Sequence, residues 1–162
     1  LALELKPYQV SLVPEKRQEI TTEGGLDVCS QISELLNIQK RFKNQGILFS
    51  LFVDPDIRQI EASKEVNADS IEINTGVYSE LIDQTKIEEE LTRIREAAKQ
   101  AERLGLRVFA GHGLNFDNVK AIAAIPEIEE LNIGHFLVAQ SVYIGIEEAV
   151  KIIKQVIKTA SS

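Results

Sequence analysis

Five short runs of branched and aromatic apolar residues, each followed by a helical pattern, constrain this chain more than any other feature. The runs are Tyr8–Val13, Ile47–Val53, Ser70–Ile73, Leu106–Ala110 and Glu130–Val138. They alternate little with polar residues, which is how strands buried on both faces read. The clearest helix is Lys86–Leu104, where Ile87, Leu91, Ile94, Ala98, Ala101 and Leu104 form one apolar stripe and Gly105 follows as a stop. Similar patterns cover Leu26–Asn44, Asp56–Asn67, Phe116–Ala124 and Ile146–Thr159. Gly46 closes the first of these, and Pro55 opens the second as a first-turn proline. Strict βα alternation predicts an α/β fold with a parallel sheet and right-handed crossovers. Two architectures satisfy it. One is a doubly wound open sheet, for which five strands are enough. The other is part of a (β/α)8 TIM barrel, which takes about 250 residues when complete. The helical periodicity does not separate them.

Composition narrows the partners. A chain of 162 residues is long enough for a single domain, 1–162, with its own core. The formal net charge of −7 argues against nucleic acid or an anionic membrane as the partner, since both need a basic face. A small anionic substrate stays open, because a few local donors hold one phosphate. Cys29 is the single cysteine, so no internal disulfide forms, which fits a reducing compartment. It is read as a core or interface thiol without chemistry. No apolar run approaches the roughly 18 residues of a membrane span, and no signal sequence opens the chain. A cytoplasmic location is expected. The chain begins at Leu1 and contains no Met, so it is expected to be a portion of something longer.

In parallel α/β folds the reactive groups sit at the carboxyl ends of strands. Every run here ends in something polar or glycine-rich: Pro14-Glu15-Lys16-Arg17 with Thr21-Thr22-Glu23-Gly24-Gly25, then Asp54, Glu72-Ile73-Asn74-Thr75-Gly76, Gly111-His112-Gly113 and Asn132-Ile133-Gly134-His135. His112 and His135 are the only two histidines, and both lie beside glycine at such ends. Histidine titrates near neutral pH and relays protons; a structural histidine held by a loop carbonyl is the alternative. Glu72 sits between Ile71 and Ile73 and shares a strand face with Asn74. Burial there raises a carboxyl pKa and suits acid–base work or stabilisation of positive charge; the alternative is a carboxylate paired with Lys or Arg. Gly113 and Gly134-His135 fall where many barrels hold a phosphate on exposed backbone amides, although tight turns use the same residues. Glu15–Glu19 reads as a solvated charge run. Thr21 and Thr22 either bind a sugar or phosphate or cap the next helix.

These motifs together resemble pyridoxine 5'-phosphate synthase. The resemblance is carried by Leu12–Asp27, Ile71–Gly76, Ala110–Leu114, Asn118–Pro126 and Glu130–His135, in the family's order and over nearly the whole chain. It implies a (β/α)8 barrel of which this chain supplies about five βα units, strands four to eight, the C-terminal two-thirds. It implies condensation of 3-amino-2-oxopropyl phosphate with 1-deoxy-D-xylulose 5-phosphate, releasing inorganic phosphate and water, with no cofactor and no metal. His112 is then the proton donor late in ring closure, and Glu72 stabilises a charged intermediate. Gly113, Gly134 and His135 hold the aminoketone phosphate, and Thr21 contacts the other substrate. A homo-oligomer is implied as well. The sequence departs from the family in lacking its first three βα units, which include a general-base Glu. Asn74 stands where His is common, and Gln140 where Arg is usual. The chain by itself is therefore expected to be inactive. Two other readings stand beside this one. One is a phosphate-binding barrel isomerase or aldolase, although no strand core offers the inward lysine a Schiff-base aldolase needs. The other is a non-catalytic assembly fragment.

Overall fold

A computed structural model describes residues 1–14 and 24–160. A short helix α1 (Ala2–Leu5) precedes strand β1 (Gln9–Leu12). Then come α2 (Ile32–Lys43), β2 (Leu48–Val53), α3 (Ile57–Glu65), β3 (Ser70–Asn74), α4 (Gly76–Glu80), α5 (Gln84–Arg103), β4 (Arg107–Gly111), α6 (Val119–Ala123), β5 (Glu130–Asn132), α7 (His135–Ile144) and α8 (Ile146–Ala160). The strands are all parallel, and their order in the sheet is β1-β2-β3-β4-β5. That order separates the two architectures left open by periodicity. A doubly wound sheet reverses its strand order at a switch point. Here every strand lies beside its successor, and right-handed crossovers then stack the helices on one face. The result is a half-barrel of five parallel strands.

The register sorts the strand residues into two faces. Leu51, Ile71 and Val108 share one row, and Val53, Ile73, Ala110 and Leu131 share another. These rows meet the helices in one cluster with Leu35, Phe42, Ile60, Leu91, Ile94, Ala98, Val119, Ile122 and Ile153. The opposite face carries Ser50, Ser70 and Arg107 in one row, Phe52, Glu72, Phe109 and Glu130 in the next, and Asn74, Gly111 and Asn132 in the last. Phe52 and Phe109 are buried yet lie outside the helix-side cluster. The concave face is thus polar toward the carboxyl ends, and both faces are covered in the middle. That explains why the strands read as continuous apolar runs rather than as alternation.

Local chemistry fixes the helix ends. The Asp56 carboxylate accepts from the Arg58 amide at 2.9 Å and opens α3. Asp83 accepts from the Lys86 amide at 3.0 Å and opens α5. Aspartate is a favoured residue at both positions. Pro55 therefore precedes the cap instead of occupying the first helical turn.

Two expected elements differ. The helix expected from Leu26 starts only at Ile32, because the preceding backbone is held by other partners. The Leu26 amide donates to the Phe52 carbonyl at 2.8 Å, and the Val28 amide to Gln59 Oε1 at 2.8 Å. The run Glu130–Val138 is not one strand: β5 ends at Asn132 and α7 begins at His135. The apolar residues of α7 are spread round the helix rather than gathered on one face, so it carries no periodic signature of a helix.

Ile73 is fully buried among the helix-side residues, whereas Ile82 is almost wholly exposed. Truncating Ile73 to Ala should cost about 2–5 kcal/mol in denaturant-induced unfolding. The same truncation at Ile82 should stay within about 0.5 kcal/mol.

Candidate active site

The last polar row of the concave face opens into a cleft of about 930 Å³ at the carboxyl ends of the strands. Glu72, His112, Gly113, Gly134 and His135 all line it, with Phe52, Ser79, Asn132 and Phe136 between them. The structure thus brings together five of the six residues expected to form the site. The sixth, Thr21, lies outside the described residues, as do Glu15, Lys16, Arg17 and Thr22.

Glu72 comes from the middle of β3 and points to the concave face. Asn132 Nδ2 donates to Glu72 Oε2 at 2.8 Å, reaching across the whole width of β4. The reach is possible because the intervening row position is Gly111. A Cβ on Gly111 would lie 2.5 Å from Glu72 Oε1 and 2.8 Å from the Asn132 carbonyl oxygen. Burial pushes the Glu72 carboxyl above its ordinary pKa, and the nearby Glu130 charge adds to this. The Asn132 hydrogen bond opposes both. No Lys or Arg pairs with Glu72 among the described residues. Its partner is a neutral amide, not the cation that a structural carboxylate would want.

His112 follows β4 in a left-handed backbone conformation, with φ at 85°, and Gly113 follows it at 73°. The two turns swing the imidazole off the strand and into the cleft. The ring lies 6.2 Å from the Phe52 ring, centroid to centroid. Gly134 caps α7, and His135 is its first residue. Glycine has no side chain to accept the first-turn amides, and among the described residues no other side chain caps them. These N–H groups and the positive end of the helix dipole face the cleft, an arrangement suited to an anion. Phe116, in the loop after β4, meets Phe136 of α7 edge-on at 4.7 Å, which ties the two loops together.

Several residues in and beside the site were given no role in the sequence, although Asn132 and Asp54 were named at strand ends. Asn132 holds Glu72; its signal was its place in the inward row beside Glu72 and Asn74, which only the register reveals. Asp54 accepts from Asn74 Nδ2 at 2.9 Å and from the Gly25 amide at 2.9 Å. Ser79 donates to the Gly76 carbonyl at 2.7 Å and borders Gly113. Among the described residues no three His, Cys, Asp or Glu side chains converge as a metal ion would require. Among the same residues no helix is long and apolar enough to cross a membrane.

Comparison with known proteins gives this geometry a context. Residues 1–159 match the family described as pyridoxal phosphate biosynthesis protein PdxJ. A pyridoxine 5'-phosphate synthase of Sulfurihydrogenibium sp. (strain YO3AOP1) is 57% identical over 160 residues, covering 99% of this chain and 65% of that protein. Proteins of the same name from Trichormus variabilis and Pelobacter propionicus are each 48% identical. They cover 98% and 99% of this chain, and 66% and 67% of their own lengths. A solved thiamine phosphate pyrophosphorylase from Pyrococcus furiosus overlays with a TM-score of 0.33 at 14% identity, covering 99% of this chain and 88% of its own, too loose a likeness to bear on fold or function. This chain spans about two thirds of the length of the curated relatives it matches. The match gives the family; it does not carry the finer expectation that these are the C-terminal two-thirds of the family's barrel. A family match over 159 of 162 residues, with relatives at 48–57% identity, settles the relationship: the chain belongs to the pyridoxal phosphate biosynthesis protein PdxJ family.

Proposed function

We propose that this cleft is part of the active site of a pyridoxine 5'-phosphate synthase. The reaction condenses 3-amino-2-oxopropyl phosphate with 1-deoxy-D-xylulose 5-phosphate and releases inorganic phosphate and water. One observation carries the reading: Glu72, His112, Gly113, Gly134 and His135, from β3 and the segments that follow β4 and β5, line one cleft. The complete fold is then a single (β/α)8 barrel domain. Its remaining strands come from the third of the family's length that this chain does not span. Those strands would cover the open side of the cleft and exclude water. On the same reading the protein is a cytoplasmic homo-oligomer.

Each described residue has a role that its surroundings support. The amides at the start of α7, with Gly113 and His135, hold the phosphate of the aminoketone. Thr21, outside the described residues, is assigned to the second substrate by the family resemblance alone. Joining an amine to a ketone passes through a cationic imine. Glu72, close by and paired only with a neutral amide, stabilises that charge when ionised. His112 donates a proton in the ring-closing steps; its ring borders the cleft, and no described residue hydrogen-bonds its imidazole. A lysine-dependent aldolase is disfavoured, because the inward positions of the five strands carry Ser, Phe, Glu, Asn, Gln, Leu, Gly and Arg but no Lys.

The test is product formation by the full-length protein from both substrates together. Replacing His112 with Gln should lower kcat by about 100- to 10,000-fold, the span that general acid catalysis supplies. Undiminished turnover in that variant would remove His112 from the mechanism. No product from the parent protein would remove the synthase reading.

Glu72 gives two pH predictions. Activity should fall on the acid side along a limb set by Glu72, displaced above the ordinary carboxylate range, and Glu72→Gln should abolish that limb. The second concerns stability. A carboxyl whose folded pKa is raised leaves the folded state holding more protons than the unfolded one, so stability falls as pH rises from the unfolded to the folded pKa. The Gln variant keeps an acceptor for Asn132 and carries no charge. It should therefore melt above the parent at neutral pH, with the gap closing below the ordinary carboxylate range. A gap that persists in acid would show that packing, not ionisation, causes it.

A further inference from the structure

His112 holds a backbone conformation that its residue type resists, because a left-handed φ crowds Cβ against the following carbonyl. The neighbouring strand supplies a restraint. Asn74 and Gly111 are register partners, so Thr75 and His112, the next residue on each strand, also face each other. Thr75 is completely buried. Its amide donates to the Gly111 carbonyl at 2.8 Å. Its hydroxyl oxygen lies 2.6 Å from the His112 carbonyl oxygen and 2.8 Å from that of Gly111. A hydroxyl has one proton to give. The Gly111 oxygen already holds an amide, so the shorter contact, to His112, takes the larger share.

The ordinary role of this threonine is taken by its neighbour. Thr75 occupies the N-cap of α4, where a threonine oxygen commonly accepts a first-turn amide. It makes no such bond. Asn74 Oδ1 accepts the Gly76 amide instead, at 2.9 Å, while Asn74 Nδ2 is anchored on Asp54. The Thr75 hydroxyl is thereby left to point across the sheet. Gly76 completes the seat. A Cβ there would lie 2.8 Å from His112 Cδ2, so the imidazole rests on a bare Cα.

We infer that Thr75 is a positioning residue for His112: its buried hydroxyl clamps the His112 carbonyl and sets the direction in which the imidazole enters the cleft. The kinetic consequence rests on the synthase reading, whereas the clamp is a property of the fold.

The experiment compares Thr75→Val, which keeps the shape and removes the hydroxyl, with Thr75→Ser, which keeps the hydroxyl, both in the full-length protein. The Val variant should lose about 10- to 100-fold in kcat, the scale of a misplaced catalytic group. Its KM should stay within about threefold of the parent, as expected when binding is spared. The Ser variant should recover to within about threefold of parental kcat. Nitrogen-15 spectra of the two imidazoles give a readout independent of turnover. His112 and His135 are the only histidines, so each serves as reference for the other. The Val variant should shift or broaden the His112 resonances and leave those of His135 in place. If it does not fold, Thr75→Ala is read in the same way. Parental kcat with unmoved His112 resonances would overturn the inference, as would a Ser variant as impaired as the Val variant. If the parent makes no product, the synthase reading falls and the imidazole spectra alone decide the role of Thr75.

Discussion

Gly111 adds no side chain to the row it shares with Asn74 and Asn132, and the arrangement of the cleft depends on that gap. Across it, an amide on β5 reaches a carboxylate on β3 without touching the strand between. A methyl group in that space would strike Glu72 on one side and the Asn132 backbone on the other. Packing of this kind is sensitive to a single carbon, because protein interiors have little room to give. The same strand then turns left-handed at His112, so one short stretch, Gly111-His112-Gly113, both makes space for the carboxylate and projects the imidazole.

The electrostatics of the cleft run against those of the whole chain. The chain carries a net charge of −7, yet the floor of the cleft offers free first-turn amides of α7 and two histidines. An anion is attracted by local dipoles at a few ångströms, where the distant surface charge is screened. A phosphorylated substrate and an acidic protein are therefore compatible. Glu72 sits on the opposite side of the cleft from these donors in chemical terms: it favours a positive centre, while they favour a negative one. One cleft can then orient a molecule that bears both, such as a phosphate ester carrying an amine.

Much of this was legible in the sequence, and the remainder was hidden for identifiable reasons. Buried parallel strands announce themselves as unbroken apolar runs, so β2, β3 and β4 were placed almost to the residue. Glu72 and His112 stood out because a carboxylate inside an apolar run and a histidine between glycines are rare company. Strand order was not readable, since an in-order sheet and a doubly wound one share the same periodicity. Helix α7 was hidden in the opposite way: residues such as Phe136, Leu137, Val138 and Val142 give it no polar face, so it continued the strand before it. Asp54 and Thr75 were visible as residues but not as partners. Their contacts to Asn74 and His112 join neighbouring strands, and only register brings them together.

The in-order sheet also shapes how such a chain is made. Each strand pairs with the one synthesised just before it, so a growing chain can add one βα unit at a time to a template already in place. Every pairing among the described strands is therefore between close neighbours in sequence. Among the described residues the outer strands, β1 and β5, have a sheet neighbour on one side only, and such edges are prone to pair with whatever strand meets them. Closing a barrel demands one contact unlike all the others, between its earliest and latest strands. A nascent chain bound for such closure grows easily and remains adhesive up to that final step.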